Sequence, residues 1–185
     1  HSMSIKRTFG RLALIAAACG AMAVAHAETT IAYITNGNTN EGWTLINGGA
    51  ADAAKKAGVK FIQLAAEKGA LSSQLAIVED MITRKVNAIA IAPVDSAGIA
   101  PAITKAMKAG IPVVAVDTGI TGADITSYVA TDNIKAANVQ GKWTASQVKS
   151  GDTVIYVTGD QGQSTGRERK QGFLDGLNQN VKGVK

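Results

Sequence analysis

The stretch Ala-Ile-Ala-Ile-Ala at residues 88–92, followed at once by Pro-Val-Asp-Ser at 93–96, decides the fold class of this chain. An unbroken apolar run of this length is typical of a central strand that is covered on both faces. Comparable apolar runs occur on either side of it, at residues 31–35, 59–64, 112–116 and 128–130. We therefore predict five strands, with residues 88–92 in a central position.

The segments between these runs have helical periodicity. Apolar residues recur at helical spacing over residues 42–57, 71–85 and 99–110, and Gly58 follows the first of these segments. Alternating strands and helices imply a parallel, doubly wound α/β sheet, because parallel neighbours need helical crossovers. We place this first lobe at residues 28–131.

The same rhythm restarts after residue 131. The sequence predicts a helix near residues 133–149, a strand at 153–157, a glycine-rich loop at 159–166 and a helix from 167 to 177. These elements are too few to close a second sheet. Residues 132–185 are therefore expected to form only the start of a second lobe.

The amino terminus has the pattern of a secretory signal peptide. Basic residues precede an apolar run at residues 12–24, which ends in Ala-His-Ala at 25–27. The run has about 13 residues, fewer than a membrane-spanning helix needs. We predict that residues 1–27 are a signal peptide, that Glu28 is the first mature residue, and that the protein is periplasmic. The alternatives are a buried amino-terminal helix and, within the leader, lipidation at Cys19.

Removal of the leader changes the chemistry that the chain can offer. Both histidines and the only cysteine fall within residues 1–27. Without a thiolate or an imidazole, no catalytic residue, metal site or cofactor is expected. Three of the 19 Lys and Arg residues are also in the leader, so 16 remain against 14 Asp and Glu. This balance, without a basic patch, argues against nucleic acid as a partner.

Polar side chains follow two of the predicted strands at the point where each ends. Asn36 and Asn40 follow the first strand, with Trp43 just beyond them, and Asp117 and Thr118 follow the fourth. Ligands of open α/β sheets bind beyond the carboxyl ends of the strands, so these side chains are expected to share one crevice. Their hydrogen-bonding groups, beside a flat indole, suit a sugar or polyol. Caps, turns and core packing are the structural alternatives for each of them.

Five segments of the chain have an order and spacing found together in a known family. They are Ile-Ala-Tyr-Ile at 31–34, Ala-Pro-Val-Asp-Ser at 92–96, Ile-Pro-Val-Val-Ala-Val-Asp at 111–117, Ala-Thr-Asp-Asn at 130–133 and Gly-Arg-Glu-Arg at 166–169. In this respect the chain resembles the ribose-type periplasmic binding proteins of ABC sugar uptake, which have the type I substrate-binding fold. The resemblance implies that Asn36, Asn40 and Trp43 contact the ligand. It also implies that Asp117 binds sugar hydroxyls and that Arg169 reaches the ring from the second lobe.

Two departures from the family pattern bear on selectivity. The family commonly has Asn-Pro-Phe and a further aromatic residue after the first strand, whereas residues 40–43 here are Asn-Glu-Gly-Trp, so one aromatic wall is missing. Many members also have Arg directly after the aspartate of the fourth strand, where this chain has Thr118. The absence of this charged donor puts ribose itself in doubt as the ligand. The segment 130–133 resembles the first hinge crossing, with Asp132 as the cap of the next helix, and closure at this hinge would bury the solute.

The loop at residues 159–166 carries two patterns that are found in enzymes. Gly-Gln-Ser-Thr-Gly at 162–166 matches the G-x-S-x-G nucleophile elbow, but the triad needs a histidine and none follows residue 26. The loop is rich in glycine, yet it matches neither common phosphate-binding motif. We therefore favour a binding protein over an enzyme.

The sequence predicts a monomeric, periplasmic solute-binding component of an ABC transporter. It would capture a monosaccharide or related polyol between two lobes and deliver it to a membrane permease. Two alternatives remain open: a periplasmic sensing module for chemotaxis or a sensor kinase, and the effector domain of a LacI-like regulator. The regulator would need a helix-turn-helix where the leader stands.

Overall fold

The computed structural model describes residues 28–185, so the predicted signal peptide, Cys19 and His26 lie outside the described residues. Strands and helices alternate along most of the described chain. In order they are β1 (Thr30–Thr35), α1 (Glu41–Ala57), β2 (Lys60–Ala65), α2 (Leu71–Thr83), β3 (Ala88–Ile91), α3 (Ala100–Lys108), β4 (Val113–Val116), β5 (Ser127–Val129), α4 (Asn133–Gln147) and α5 (Ser164–Asn180). A short 3₁₀ helix, Glu67–Gly69, precedes α2. Within residues 28–185, none of the helices combines the length and apolarity that crossing a bilayer requires.

The five strands form one parallel sheet in the order β2-β1-β3-β4-β5. Ile34 of β1 is in register with Leu64 of β2 on one side and with Ile91 of β3 on the other. The predicted α/β class and parallel sheet are therefore confirmed. The central place of residues 88–92 is confirmed as well, because β3 lies between β1 and β4.

Helix α1 begins and ends at residues suited to those positions. The Asn40 side chain accepts a hydrogen bond from the Trp43 amide, which satisfies one of the free N–H groups of the first turn. At the other end, Gly58 has a left-handed φ of 66° and its amide returns to the last turn of the helix. These two residues fix where α1 begins and ends.

The main core lies between one face of the sheet and helices α2 and α3. Alternate strand residues such as Ile34, Ile89 and Val113 have no exposed surface, and Val78 of α2 and Ile103 of α3 pack against them. Successive strand residues point to opposite faces, so the intervening side chains face the other way. That second face carries α1. There Tyr33, Ala90 and Val116 line an apolar cavity of about 450 Å³ together with residues of α1.

Helices α4 and α5 form a tightly packed pair with a small hydrophobic cluster of its own. Three glycines lie at the contact, and at each of them a Cβ would overlap a backbone carbonyl of the other helix. They are Gly141 on α4, and Gly172 and Gly176 on α5. The close approach of the two backbones therefore depends on the absence of side chains at these positions.

Several predicted element positions are wrong, and three of the corrections bear on the motifs and on the helix pair. Helix α2 ends at Thr83, because Lys85 has a left-handed φ of 53° that a helix cannot continue through. Helix α5 begins at Ser164, three residues before the prediction, so the G-x-S-x-G motif runs into the helix.

The third correction concerns residues 153–157, which have no strand assignment. Val154 donates to the Lys185 carbonyl and Lys185 to the Asp152 carbonyl, so strand-like bonding within the described residues covers only the start of this segment. Val154 and Tyr156 pack on the helix pair, whereas Ile155 and Val157 are 87% and 86% exposed. The alternation of packed and exposed side chains is that of a strand. A strand also needs a neighbouring strand along its whole length, however, to complete its hydrogen bonds.

Candidate ligand-binding site

The parallel sheet places the segments that follow β1, β3, β4 and β5 at one edge of the molecule. The carboxyl ends of parallel strands all point the same way, so Asn36, residues 93–96, Asp117 and residues 130–132 emerge on the same side. The structure thus brings the loops of the predicted site together on this edge. The predicted side chains in these loops differ in their burial and in their hydrogen-bond partners.

Asp117 has an unusual backbone conformation at the end of β4. Its φ is 63°, in the left-handed region that residues other than glycine seldom adopt. The Thr118 amide donates to the Val116 carbonyl over 2.7 Å, which closes a tight three-residue turn around Asp117. Such strained turns persist where the surrounding structure enforces them, and they concentrate at functional sites.

The surroundings of Asp117 supply that enforcement. Its amide donates to the Val129 carbonyl over 2.9 Å, and its carbonyl accepts from the Tyr128 hydroxyl over 3.0 Å. Thr118 is fully buried, and its hydroxyl donates to the Asp117 carboxylate over 3.1 Å. Thr118 therefore supports the carboxylate from within, while Asp117 itself is only partly buried.

The three predicted residues after β1 occupy structural positions at the same edge. Asn36 is buried and its side-chain oxygen accepts from the Asn38 amide over 3.1 Å. Asn40 is exposed and caps α1 through the Trp43 amide. Trp43 is only 7% exposed. These contacts match the cap, turn and core alternatives that the sequence left open.

Arg169 is on α5 and lies beside the first residue of α4. Its Nε donates to Asn133 Oδ1 over 2.8 Å, and the two residues border a cavity of about 240 Å³ with Gln140 and Tyr156. Within residues 28–185, neither a hydrogen bond nor an ion pair joins Arg169 to Asp117. The structure therefore places Arg169 beside the segment that connects the sheet to the helix pair.

Gln74 is a residue of this edge that sequence reasoning missed. It is fully buried on α2, and its Nε2 donates to the carbonyls of Thr35 and Ala92 over 3.2 and 2.9 Å. Its Oε1 accepts from the Val94 amide over 2.8 Å. Gln74 thus joins the ends of β1 and β3. The available signal was its place among Leu71, Leu75 and Val78, a polar side chain on an apolar helical stripe.

Two tyrosines near Asp117 were also missed. Burial, and then the negative charge of Asp117, raise the pKa of Tyr33 above its ordinary value. Burial likewise raises the pKa of Tyr128, although the neighbouring Ser164 hydroxyl acts in the opposite direction. Tyr33 donates to Asn47 Oδ1 over 3.0 Å. Both phenols therefore stay protonated beside the carboxylate at neutral pH.

Ser164 of the G-x-S-x-G motif is engaged in structural contacts. Its hydroxyl accepts from the Gly119 amide and its amide donates to the Ser96 hydroxyl, each over 2.9 Å. Among residues 28–185, no cluster of three or more His, Cys, Asp and Glu side chains is arranged to hold a metal ion.

The comparison with known families agrees with this architecture. Residues 31–185 match the family described as a periplasmic binding protein domain, which covers most of the chain. The chain belongs to the periplasmic binding protein family. The fold described above, a parallel sheet with polar loops at the ends of its strands, is thus the fold of a member of a binding-protein family.

Individual members of the periplasmic binding protein family show the extent of the likeness. The ribose import binding protein of Salmonella typhimurium is 30% identical over 171 residues, which are 92% of this chain and 57% of that protein. A carbohydrate transporter solute-binding protein of Agrobacterium radiobacter, solved with D-arabinose, is 29% identical with a TM-score of 0.77, over 86% of this chain and 56% of that one.

A third relative binds a cyclic polyol. The Caulobacter myo-inositol binding protein, solved with myo-inositol, is 25% identical with a TM-score of 0.79, over 85% of this chain and 53% of that one. The chain thus spans about half the length of the relatives it matches. The chain therefore shares its family and its fold with these relatives.

Proposed function

We propose that this chain is part of the periplasmic solute-binding component of an ABC transporter and that it captures a monosaccharide or related polyol. The observation that carries the proposal is the strained turn at Asp117, which presents a carboxylate at the carboxyl end of β4. The ribose, arabinose and myo-inositol of the relatives' names are all polyhydroxylated, and this supports the ligand class.

The chemistry of Asp117 suits such a ligand. An ionised carboxylate only accepts hydrogen bonds, so it pairs with the hydroxyl groups of a sugar. Thr118 occupies one of its oxygens with a single bond, and this leaves acceptor capacity for two or more hydroxyls. The turn costs about 1 to 3 kcal/mol of backbone strain, and a binding role gives that strain a reason to persist.

The other predicted residues are assigned supporting parts in this proposal. Asn36 and Trp43 line the β1 side of the crevice, with Asn40 at its rim. Arg169 approaches from the opposite side when α5 moves relative to the sheet. Residues 28–131 and 132–185 act as two lobes, and the solute lies between them.

The biological setting follows the same proposal. Residues 1–27 direct export, and the mature protein works as a periplasmic monomer that delivers its solute to a membrane permease. Relatives with import and transporter in their names support this assignment.

The test is solute binding by Asp117→Asn. Asparagine tolerates a left-handed backbone and retains an oxygen for Thr118, so the fold should be kept while the charge and one acceptor are lost. Pentoses, hexoses and inositols are titrated into the wild-type chain, and the amides of residues 117–119 are followed by NMR, which detects millimolar affinities of about −4 kcal/mol. We expect Asp117→Asn to weaken binding by about 1 to 3 kcal/mol.

Asp124→Asn is the matched control, because Asp124 is exposed in the same β4–β5 connection. It should bind like the wild type, and all three proteins should have similar melting temperatures without solute. Equal affinity of the Asp117 variant would place the site elsewhere. The absence of any shift with every sugar and polyol tested would refute the ligand class.

A further inference from the structure

Helix α4 has one face that packs on α5 and an opposite face that is exposed. On the packed face, Ala137, Gly141 and Ala145 recur every four residues and are buried. On the exposed face, Val139 is 63% exposed and Trp143 is 65% exposed. Such exposure is unusual for an indole, because tryptophan normally buries most of its large apolar surface. This face of α4 therefore presents apolar surface to its surroundings.

Two lysines share the exposed face with these apolar side chains. Val139 follows Lys135 by four residues, and Lys142 and Trp143 follow Val139 by three and four. Residues three and four apart are neighbours on a helix, so the four side chains form one continuous stripe. All four are exposed. We call Lys135, Val139, Lys142 and Trp143 the α4 stripe.

The α4 stripe carries positive charge that its own helix does not neutralise. Helix α4 contains neither Asp nor Glu, and within residues 28–185 neither lysine of the stripe forms an ion pair. The neighbouring carboxylate of Asp132 accepts from the Lys135 amide over 2.9 Å and caps the helix. Residues 132–185 contain eight Lys and Arg against five Asp and Glu, whereas residues 28–131 contain eight against nine. The stripe thus lies in the more basic part of the mature chain.

This combination of groups matches the chemistry of an anionic membrane surface. Anionic lipid headgroups attract lysine ammonium groups, and a lysine stem can lie along apolar surface while its ammonium stays in the polar layer. Tryptophan is enriched at the same depth, because its ring is apolar and its N–H seeks a polar partner. An acidic protein surface would pair with the lysines, but it would provide no apolar layer for Val139 and Trp143.

We propose that the α4 stripe docks the protein on an anionic phospholipid surface. Trp143 and Val139 enter the headgroup layer, while Lys135 and Lys142 lie against lipid phosphates. Because the other face of α4 stays packed on α5, the contact is superficial and reversible. In the exported protein proposed above, it keeps the solute-binding component at the membrane. The contact requires no solute and involves none of the residues at the Asp117 turn.

Tryptophan fluorescence with lipid vesicles tests the docking. Of the two tryptophans, Trp43 is only 7% exposed, so a blue shift on binding reports the environment of Trp143. We expect this shift with phosphatidylglycerol vesicles and not with phosphatidylcholine vesicles. It should be lost at about 1 M salt, where the screening length is about 3 Å. The double variant Lys135→Gln and Lys142→Gln should partition about 10- to 30-fold more weakly, since each lysine near anionic lipid contributes about fivefold.

The double variant Lys55→Gln and Lys56→Gln is the matched control. It removes two exposed lysines from the last turn of α1 and changes the net charge by the same amount. It should bind within about twofold of the wild type, because charges remote from the contact are largely screened. An equal loss in both double variants would show that net charge alone attracts the lipid and would overturn the proposal.

Two other results would also overturn docking through the stripe. One is an unchanged emission maximum with phosphatidylglycerol vesicles. The other is a blue shift that appears without vesicles and grows with protein concentration, which would indicate that the stripe joins two copies of the chain. Because no sugar is present, these results are distinct from a failure of the Asp117 titration.

Discussion

Gln74 organises the candidate site at the scale of a single residue. One side chain satisfies two strand-end carbonyls and the amide of Val94, all in a fully buried position. Because buried amide groups are costly when unpaired, this network fixes the spacing between the loops that follow β1 and β3. The geometry of the edge thus depends on a residue that itself has no access to a ligand.

Gln74→Leu should therefore destabilise the protein strongly. Leucine has a similar volume but pairs with none of the three backbone groups, so we expect the free energy of unfolding to fall by about 2 to 4 kcal/mol. Urea denaturation measures this difference. Gln63→Leu on β2 is the control, since that side chain is exposed, and a change within about 0.5 kcal/mol is expected for it. Similar losses in both variants would contradict the role of Gln74.

Tyr33 should make stability depend on alkaline pH. Burial and the charge of Asp117 raise its pKa in the folded state, so its stabilising contribution is complete below the unfolded pKa of about 10. That contribution is lost as the pH rises through the folded value. We expect the free energy of unfolding of the wild type to decline above pH 10, as measured with urea.

Tyr33→Phe separates this effect from the titration of other groups. It loses the hydrogen bond to Asn47 and should be slightly less stable at pH 7, but its decline above pH 10 should be shallower. An identical pH profile in both proteins would show that Tyr33 does not carry the effect.

The decisive packing at the scale of elements is that of α4 against α5. Gly176→Ala places a Cβ against the Asn138 carbonyl of the neighbouring helix, so the two backbones must separate. We expect a loss of about 1 to 3 kcal/mol in the free energy of unfolding, because overpacking outweighs the better helix propensity of alanine. Thermal and urea denaturation measure it.

Gly48→Ala is the matched substitution on α1, where an added Cβ meets nothing within 4 Å. There the propensity of alanine acts alone and should raise the free energy of unfolding by about 0.5 to 1 kcal/mol. Opposite signs for the two glycines are the expected result. The same sign for both would show that helix propensity, and not contact, decides the outcome.

At the scale of the whole molecule, the sequence predicted the sheet but not the side-chain contacts at the carboxyl ends of its strands. Apolar runs and helical spacing are local signals. For all five strands, the ends that they predicted lie within about two residues of the observed ends. Gln74, Tyr33 and Tyr128 act through contacts between residues distant in sequence, which no local pattern records. The strand predicted at 153–157 failed for the same reason, since pairing is a property of two segments.

For the candidate ligand-binding residues as well, the local sequence pattern predicted the position in the fold but not the contacts. Asp117 was selected by its position after a strand, and the structure added the left-handed φ that no sequence pattern reports. Asn40 and Thr118 were selected by the same rule, yet a cap and a buried hydroxyl account for their contacts. Position at a strand end therefore predicted which loops share this edge of the sheet more reliably than it predicted the contacts of the individual side chains.

All five strands come from one uninterrupted stretch, residues 30–129. Within residues 28–185, each of these strands finds its partners inside that stretch, so this part of the sheet can assemble while the ribosome is still adding later residues. The hydrogen bonds that join Ser164 to Ser96 and Gly119 form later, because Ser164 is synthesised well after both of these residues. The order of synthesis therefore allows the sheet to form before the contacts that α5 makes with it.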